Sequence, residues 1–188
     1  MRTTVYKHIS PYLTEWQHRF VKGRLCETQL VLTHHQWATT LDEGCQIDLA
    51  LLDFFKAFDS VSHQLLLQKL CSFEISGSLL HWCESYLSNR QQIVVLDGVS
   101  SSWADVTFRV TQGSLLGPLF FVIFITDLPE VILPGNTIAL YADDCKCSGI
   151  IDAADDQDLF QQDLDNLFQW SVQNCMTFNV KTLQHLKP

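Results

Sequence analysis

Two adjacent carboxylates, Asp143 and Asp144, stand between two apolar runs. Thr137-Ile138-Ala139-Leu140-Tyr141 leads into them, and Lys146 to Ile151 leads away. The spacing predicts strands over 138–141 and 146–151, with the acids at the tip of the hairpin that joins them. Neighbouring like charges repel. A chain that keeps such a pair beside a core needs something cationic to neutralise it, and a divalent metal is the natural candidate. The fold must therefore present this tip at an accessible edge.

A third acid lies far away in sequence. Ile47 to Phe55 is an apolar run broken only by Asp48 and Asp53, and it reads as a buried strand. A lone Asp inside such a strand is costly unless paired, hydrogen-bonded or bound to metal. Two readings of Asp53 stay open here: a strand-end residue bonded to nearby backbone, or a metal ligand. If this strand neighbours the acidic hairpin, three carboxylates converge at one end of a sheet. Such a set suits two Mg²⁺ ions about 3.5–4 Å apart, the arrangement used for in-line phosphoryl transfer.

The other segments alternate in type. Apolar positions Leu30, Val31, Trp37 and Leu41 predict a helix over 27–41 that Gly44 stops. Helices are expected over 62–70 and 78–87, with Ser62 and Ser76 or Ser78 as caps. Gln91 to Leu96 and Trp103 to Val110 predict a hairpin around Asp97-Gly98. Residues 113–128 read as an apolar helix with Pro118 in its first turn. Residues 155–174 read as an amphipathic helix burying Leu159, Phe160, Leu164, Leu167, Phe168 and Trp170. The class is α+β: a small antiparallel sheet with helices packed on one face.

Composition narrows the functional classes. The 188 residues carry a net charge of -9, which argues against a free-standing electrostatic binder of nucleic acid. Five of the 12 basic residues nevertheless fall in the first 24 positions. Asp152, Asp155, Asp156, Asp158, Asp163 and Asp165 fail as an EF-hand loop, because Gln157 stands where Gly is required; they read as a solvated helix face. The seven cysteines show no regular spacing and read as small core residues, Cys145-x-Cys147 included. The start, Met1-Arg2-Thr3-Thr4-Val5-Tyr6-Lys7-His8, has no apolar signal segment. An intracellular setting is expected, with the nucleus one open compartment. The longest apolar run, 115–125, is too short to span a bilayer, so no membrane association is expected.

Three motifs now stand in order. Leu52-Asp53-Phe54-Phe55-Lys56-Ala57-Phe58-Asp59-Ser60-Val61-Ser62-His63 resembles motif A of the reverse transcriptases of non-LTR, LINE-like retrotransposons. Gln112-Gly113-Ser114-Leu115-Leu116-Gly117-Pro118-Leu119-Phe120 resembles their motif B, and Tyr141-Ala142-Asp143-Asp144 their motif C. Weaker matches run through 16–24, 82–91 and 170–181, so the resemblance covers nearly the whole chain.

The resemblance implies a polymerase palm over 47–188 and a partial fingers segment over 1–46. Motif A then spans 52–63, motif B 109–120, motif C 141–144 and a degenerate motif D 170–182. It implies RNA-directed DNA synthesis on an RNA template from a DNA primer and deoxynucleoside triphosphates. Two Mg²⁺ ions, replaceable by Mn²⁺, would be held by Asp53, Asp143, Asp144 and the backbone carbonyl of Phe54. Phe58 would be the steric gate against a 2′-hydroxyl, with Ala57 beside it in the nucleotide pocket. Gln112 and Gly113 would adjoin the incoming nucleotide, Lys22 and Arg24 would reach its triphosphate, and Lys181 would be the general acid. Asp59 is expected to cap the following helix, while His63 and His81 are expected to be structural.

The chain also departs from the family pattern. Motif B usually opens Gly-x-Pro-Gln-Gly; here it reads Arg109-Val110-Thr111-Gln112-Gly113. Arg19 stands at a family Gly, and Asn179-Val180-Lys181-Thr182 is one residue shorter than the usual motif D. A thumb and an endonuclease region are expected to be missing from this chain. These departures motivate an alternative: a catalytically inactive retrotransposon-derived remnant or binding module.

Overall fold

A computed structural model describes residues 2–111 and 113–186. In chain order the elements are α1 (Arg2–Ile9), α2 (Cys26–Asp42), β1 (Gln46–Phe54), α3 (Ala57–Ser60), α4 (His63–Ser72) and α5 (Gly77–Leu87). Four short strands follow: β2 (Gln91–Gln92), β3 (Val95–Leu96), β4 (Val99–Ser100) and β5 (Ala104–Asp105). Then come α6 (Gly117–Phe124), a 3-10 turn (Leu128–Val131), β6 (Thr137–Tyr141), β7 (Asp144–Ile151), α7 (Ala154–Gln173) and β8 (Phe178–Leu186). Among the described residues no helix is long and apolar enough to cross a membrane.

The chain divides into two compact units, Met1–Tyr12 with Phe58–Phe124 and Leu13–Ala57 with Ile125–Pro188.

The second unit is built on one antiparallel sheet in the order β6-β7-β1-β8. Its centre, β1, is buried along most of its length, as a strand with apolar residues on both faces must be. Phe54 packs against Trp170 of α7, with ring centroids 6.1 Å apart. Residues 48, 50, 52 and 54 share that face, and 47, 49, 51 and 53 take the other. Phe160, Leu167 and Trp170 are the buried apolar stripe of α7. Leu159 and Phe168 are exposed, correcting the wider stripe expected from sequence.

Asp163 corrects the acid-run reading. It is fully buried and accepts hydrogen bonds from the Leu133 backbone N–H at 2.8 Å and the Asn136 amide at 2.6 Å. It thereby fixes the loop that launches β6. Asp156 accepts from the N–H groups of Asp152 and Ala153 at 2.9 and 2.7 Å, satisfying donors at the start of α7. Those bonds hold its carboxyl below the usual range.

The first unit surrounds α6, whose residues are almost all buried and apolar. Tyr86 tilts against Phe120 at 5.9 Å and Phe58 stacks on Phe121 at 4.7 Å. Lys69 Nζ donates to the Phe124 carbonyl at 2.6 Å, closing the electronegative end of α6. The helix is shorter than the expected 113–128. Ser114 Oγ takes the Gly117 N–H and donates to the Thr111 carbonyl, each at 2.8 Å, which delays the first turn. Asp97 and Gly98 both have positive φ, as a two-residue hairpin turn requires. The expected hairpin is interrupted: β3 pairs with β4, and β2 separately with β5.

Candidate active site

Strand register decides where the acids lie. In the β1–β7 ladder Asp53 stands opposite Asp144. In the β6–β7 ladder Tyr141 stands opposite Asp144, leaving Ala142 and Asp143 as a two-residue turn. Register partners share a face and hold their Cβ atoms about 4.5–5.5 Å apart. Asp53 and Asp144 therefore project together from the face opposite α7, with Asp143 in the adjoining turn. Asp53 and Asp143 are half-buried and Asp144 is exposed.

The donor set is chemically suited to a hard divalent cation. Carboxylate oxygens at a sheet end favour Mg²⁺ over softer metals, and Mg²⁺ usually takes only one or two protein carboxylates. Among the described residues no three His, Cys, Asp or Glu side chains form a ready-made cage for one ion. An arrangement of two opposed carboxylates and a third in the turn fits a site whose remaining ligands are water and phosphate. Cys145 and Cys147 do not compete. Burial pushes the Cys147 thiol up to about 12 and the Cys145 thiol well above its ordinary value, so both stay protonated core residues.

Phe54, expected to lend a carbonyl, pairs with Phe178 of β8, and their rings stack at 4.4 Å. Ala57 is buried. Phe58, in the other unit, lies on Phe121, and its carbonyl accepts the Val110 N–H at 2.9 Å. Gly113 has φ +87, a conformation that favours glycine. Gln112 lies outside the described residues. Lys22 is exposed. Arg24 Nη1 donates to the carbonyls of Thr14 and Gln17 at 2.6 and 2.9 Å, so its guanidinium braces the segment before the sheet.

Lys181 falls within β8, where Leu51 pairs with Thr182 and Leu52 with Val180. Lys181 is thus the extra residue of a β-bulge. Its side chain lies outside the described residues.

Asp59 does not cap α4. Ser62 does, accepting the Leu65 N–H at 3.4 Å, while Asp59 pairs with Arg109 at 3.1 Å. His63 Nε2 lies 2.8 Å from the Arg109 carbonyl, a structural role as expected.

One residue in contact with the acidic turn carries no signal in the sequence. Gln17 is completely buried, and its side chain makes a two-point contact with Ala142. Gln17 Nε2 donates to the Ala142 carbonyl at 3.1 Å, and Oε1 accepts the Ala142 N–H at 2.9 Å. A Gln in a mixed, poorly periodic segment offers no signal of this. Only the parallel bridge between Gln17 and Leu140 brings it to the acidic turn.

The chain matches the family profile "Reverse transcriptase (RNA-dependent DNA polymerase)" over residues 1–187. It belongs to that family. Its relatives are mobile-element proteins, in keeping with the non-LTR branch. It is 35% identical over 138 residues to the "RNA-directed DNA polymerase from mobile element jockey" of Drosophila funebris, covering 68% of this chain and 15% of that protein. A Popillia japonica "Retrovirus-related Pol polyprotein from type-1 retrotransposable element R2" is 24% identical over 136 residues, covering 72% and 22%. The chain thus spans only a small part of the relatives it matches. Apo telomerase from Candida tropicalis shares the fold, with a TM-score of 0.69 and 10% identity, covering 100% of this chain and 37% of that one. The α+β palm-and-partial-fingers architecture of a reverse transcriptase is therefore the fold of this chain.

Proposed function

We propose that this chain is the catalytic palm of an RNA-directed DNA polymerase, joining deoxynucleotides to a DNA primer on an RNA template. The observation that carries the reading is the register pair Asp53–Asp144, with Asp143 in the adjoining turn. Asp53, Asp143 and Asp144, with the Phe54 carbonyl, hold two Mg²⁺ ions. Bound divalent ions supply charge neutralisation to the triphosphate and acidity to the primer 3′-hydroxyl.

The chain's own groups do the rest. Phe58 blocks a ribose 2′-hydroxyl, and the backbone at Ala57 approaches the nucleotide. Gln112 and Gly113 orient the nucleotide against the template base. Lys22 faces the triphosphate, Arg24 reaches it only with the guanidinium nitrogens not given to the Thr14 and Gln17 carbonyls, and Lys181 donates a proton to the departing pyrophosphate. Template and primer are gripped through their phosphates by parts of the longer polymerase, which accounts for an acidic catalytic piece.

Primer extension tests this reading. On an RNA template with Mg²⁺ or Mn²⁺, the chain joined to a competent thumb should incorporate deoxynucleotides. Asp143→Asn should abolish incorporation, and Phe58→Ala should admit ribonucleotides. A folded fusion that incorporates nothing would overturn the proposal in favour of an inactive, binding-only remnant.

A further inference from the structure

We infer that Gln17 is a positioning residue for the metal-binding carboxylates, setting the backbone of the turn that carries Asp143. The inference rests on the proposed metal site and names the side chain that shapes it. Ala142 has φ +55, a left-handed conformation in which Ala is disfavoured. Something outside the turn must hold it there. The Gln17 amide does so with one donor and one acceptor on the same residue, satisfying both backbone groups of Ala142 at the point where the chain reverses.

Gln17 is itself fixed from several sides. Its Oε1 also accepts the Arg19 N–H at 2.8 Å. Its carbonyl accepts from Arg24. The neighbouring backbone is stitched to β6 by Leu140 N–H to the Trp16 carbonyl at 2.9 Å and His18 N–H to the Leu140 carbonyl at 3.0 Å. Gln29 Nε2 donates to that same Leu140 carbonyl at 2.7 Å. Arg19 lies over the Tyr141 ring and donates to its hydroxyl at 2.5 Å. Leu140, Tyr141 and Ala142, the three residues before Asp143, are therefore each gripped from the segment 16–29.

Among side chains only the carboxamides of Gln and Asn offer this pair of groups, and Gln17 has the longer reach. The amide of Gln presents a donor and an acceptor side by side, matching the N–H and C=O of one residue in a turn. A buried polar group so completely satisfied specifies one arrangement of the backbone it touches. Groups that orient metal ligands from behind typically change metal affinity or activity by about 10–100-fold when removed.

Mn²⁺ titration followed by electron paramagnetic resonance tests this. The wild-type chain should bind Mn²⁺ and Asp53→Ala should bind it far more weakly. Gln17→Met, with its circular dichroism unchanged, should weaken binding by about tenfold or more. Leu167→Val, which loosens the core away from the turn, should leave affinity at the wild-type value. Ala142→Gly in the Gln17→Met background should recover part of the loss, because Gly accepts the left-handed turn unaided. Gln17→Asn, one methylene too short, replaces Gln17→Met if the latter does not fold. Wild-type affinity in the Gln17 variants, or an equal loss in Leu167→Val, would overturn the inference while leaving the metal site standing. A wild-type chain that takes up no Mn²⁺ would overturn the metal site and the inference together.

Discussion

Arg109 pairs with Asp59 at 3.1 Å while its own backbone sits at φ +96, where motif B of the family has Gly. Arg109 therefore holds a backbone conformation that glycine adopts more readily. Its N–H donates to the Val61 carbonyl at 2.8 Å, which fixes the strained position from the main chain as well. Both side chains of the pair are about half exposed, so the ion pair is worth only about 0–1 kcal/mol. The left-handed backbone costs about 1–2 kcal/mol. Arg109→Gly should accordingly be neutral or stabilising by up to about 1 kcal/mol, whereas Arg109→Val should lose about 1–3 kcal/mol. Urea denaturation of the two variants separates these outcomes. A large loss from Arg109→Gly would mean that the ion pair outweighs the strain.

Gly117 opens α6 against the Thr111 carbonyl, and a Cβ there would collide with that backbone oxygen. Backbone cannot swing aside as a side chain does. Gly117→Ala should therefore destabilise the protein by about 1–3 kcal/mol or more, although Ala is the better helix former. A Gly117→Ala midpoint equal to wild type in urea would show that α6 starts differently from the geometry described.

His18 gives the second unit a pH dependence. Its ring is buried beside Thr28 Oγ1 at 3.0 Å, and loss of water lowers its pKa, with nearby Arg24 adding to the fall. The unfolded chain takes up this proton near pH 6.5, while the folded chain resists it until lower pH. The stabilisation is thus full above about pH 6.5 and declines as pH falls below that value. Melting temperature should drop between pH 7.5 and pH 5, and His18→Gln should drop less over the same range. Equal slopes in both proteins would contradict this account.

The strand and hairpin that carry the three acids were legible because their signals are local. An apolar run with one interior acid, and two apolar runs around an acidic pair, survive any packing detail. The bounds of β1 and β6 lie within two residues of expectation. Asp163 and Gln17 were illegible for the opposite reason. Each is a polar residue whose worth depends on a partner at least 27 positions away, Asn136 for the one and Ala142 for the other. Leu159 and Phe168 misled because helical periodicity marks the width of an apolar stripe, whereas the sheet beneath covers only its centre. Asp59 was read as a cap because sequence cannot reveal Arg109, 50 positions on, as its partner.

The central claim is that the β1–β7 register makes a divalent-metal site from Asp53, Asp143 and Asp144. Thermal unfolding with and without Mn²⁺ tests it most directly. Opposed like charges cost about 0.2–1 kcal/mol across a ladder, so Asp144→Asn should melt at or slightly above wild type without metal. At about 100 times the dissociation constant, bound Mn²⁺ should stabilise wild type by about 2.7 kcal/mol, a rise of about 5–10 °C. Asp144→Asn and Asp53→Asn should lose most of that rise. An equal rise in all three proteins, or none in wild type, would contradict the account.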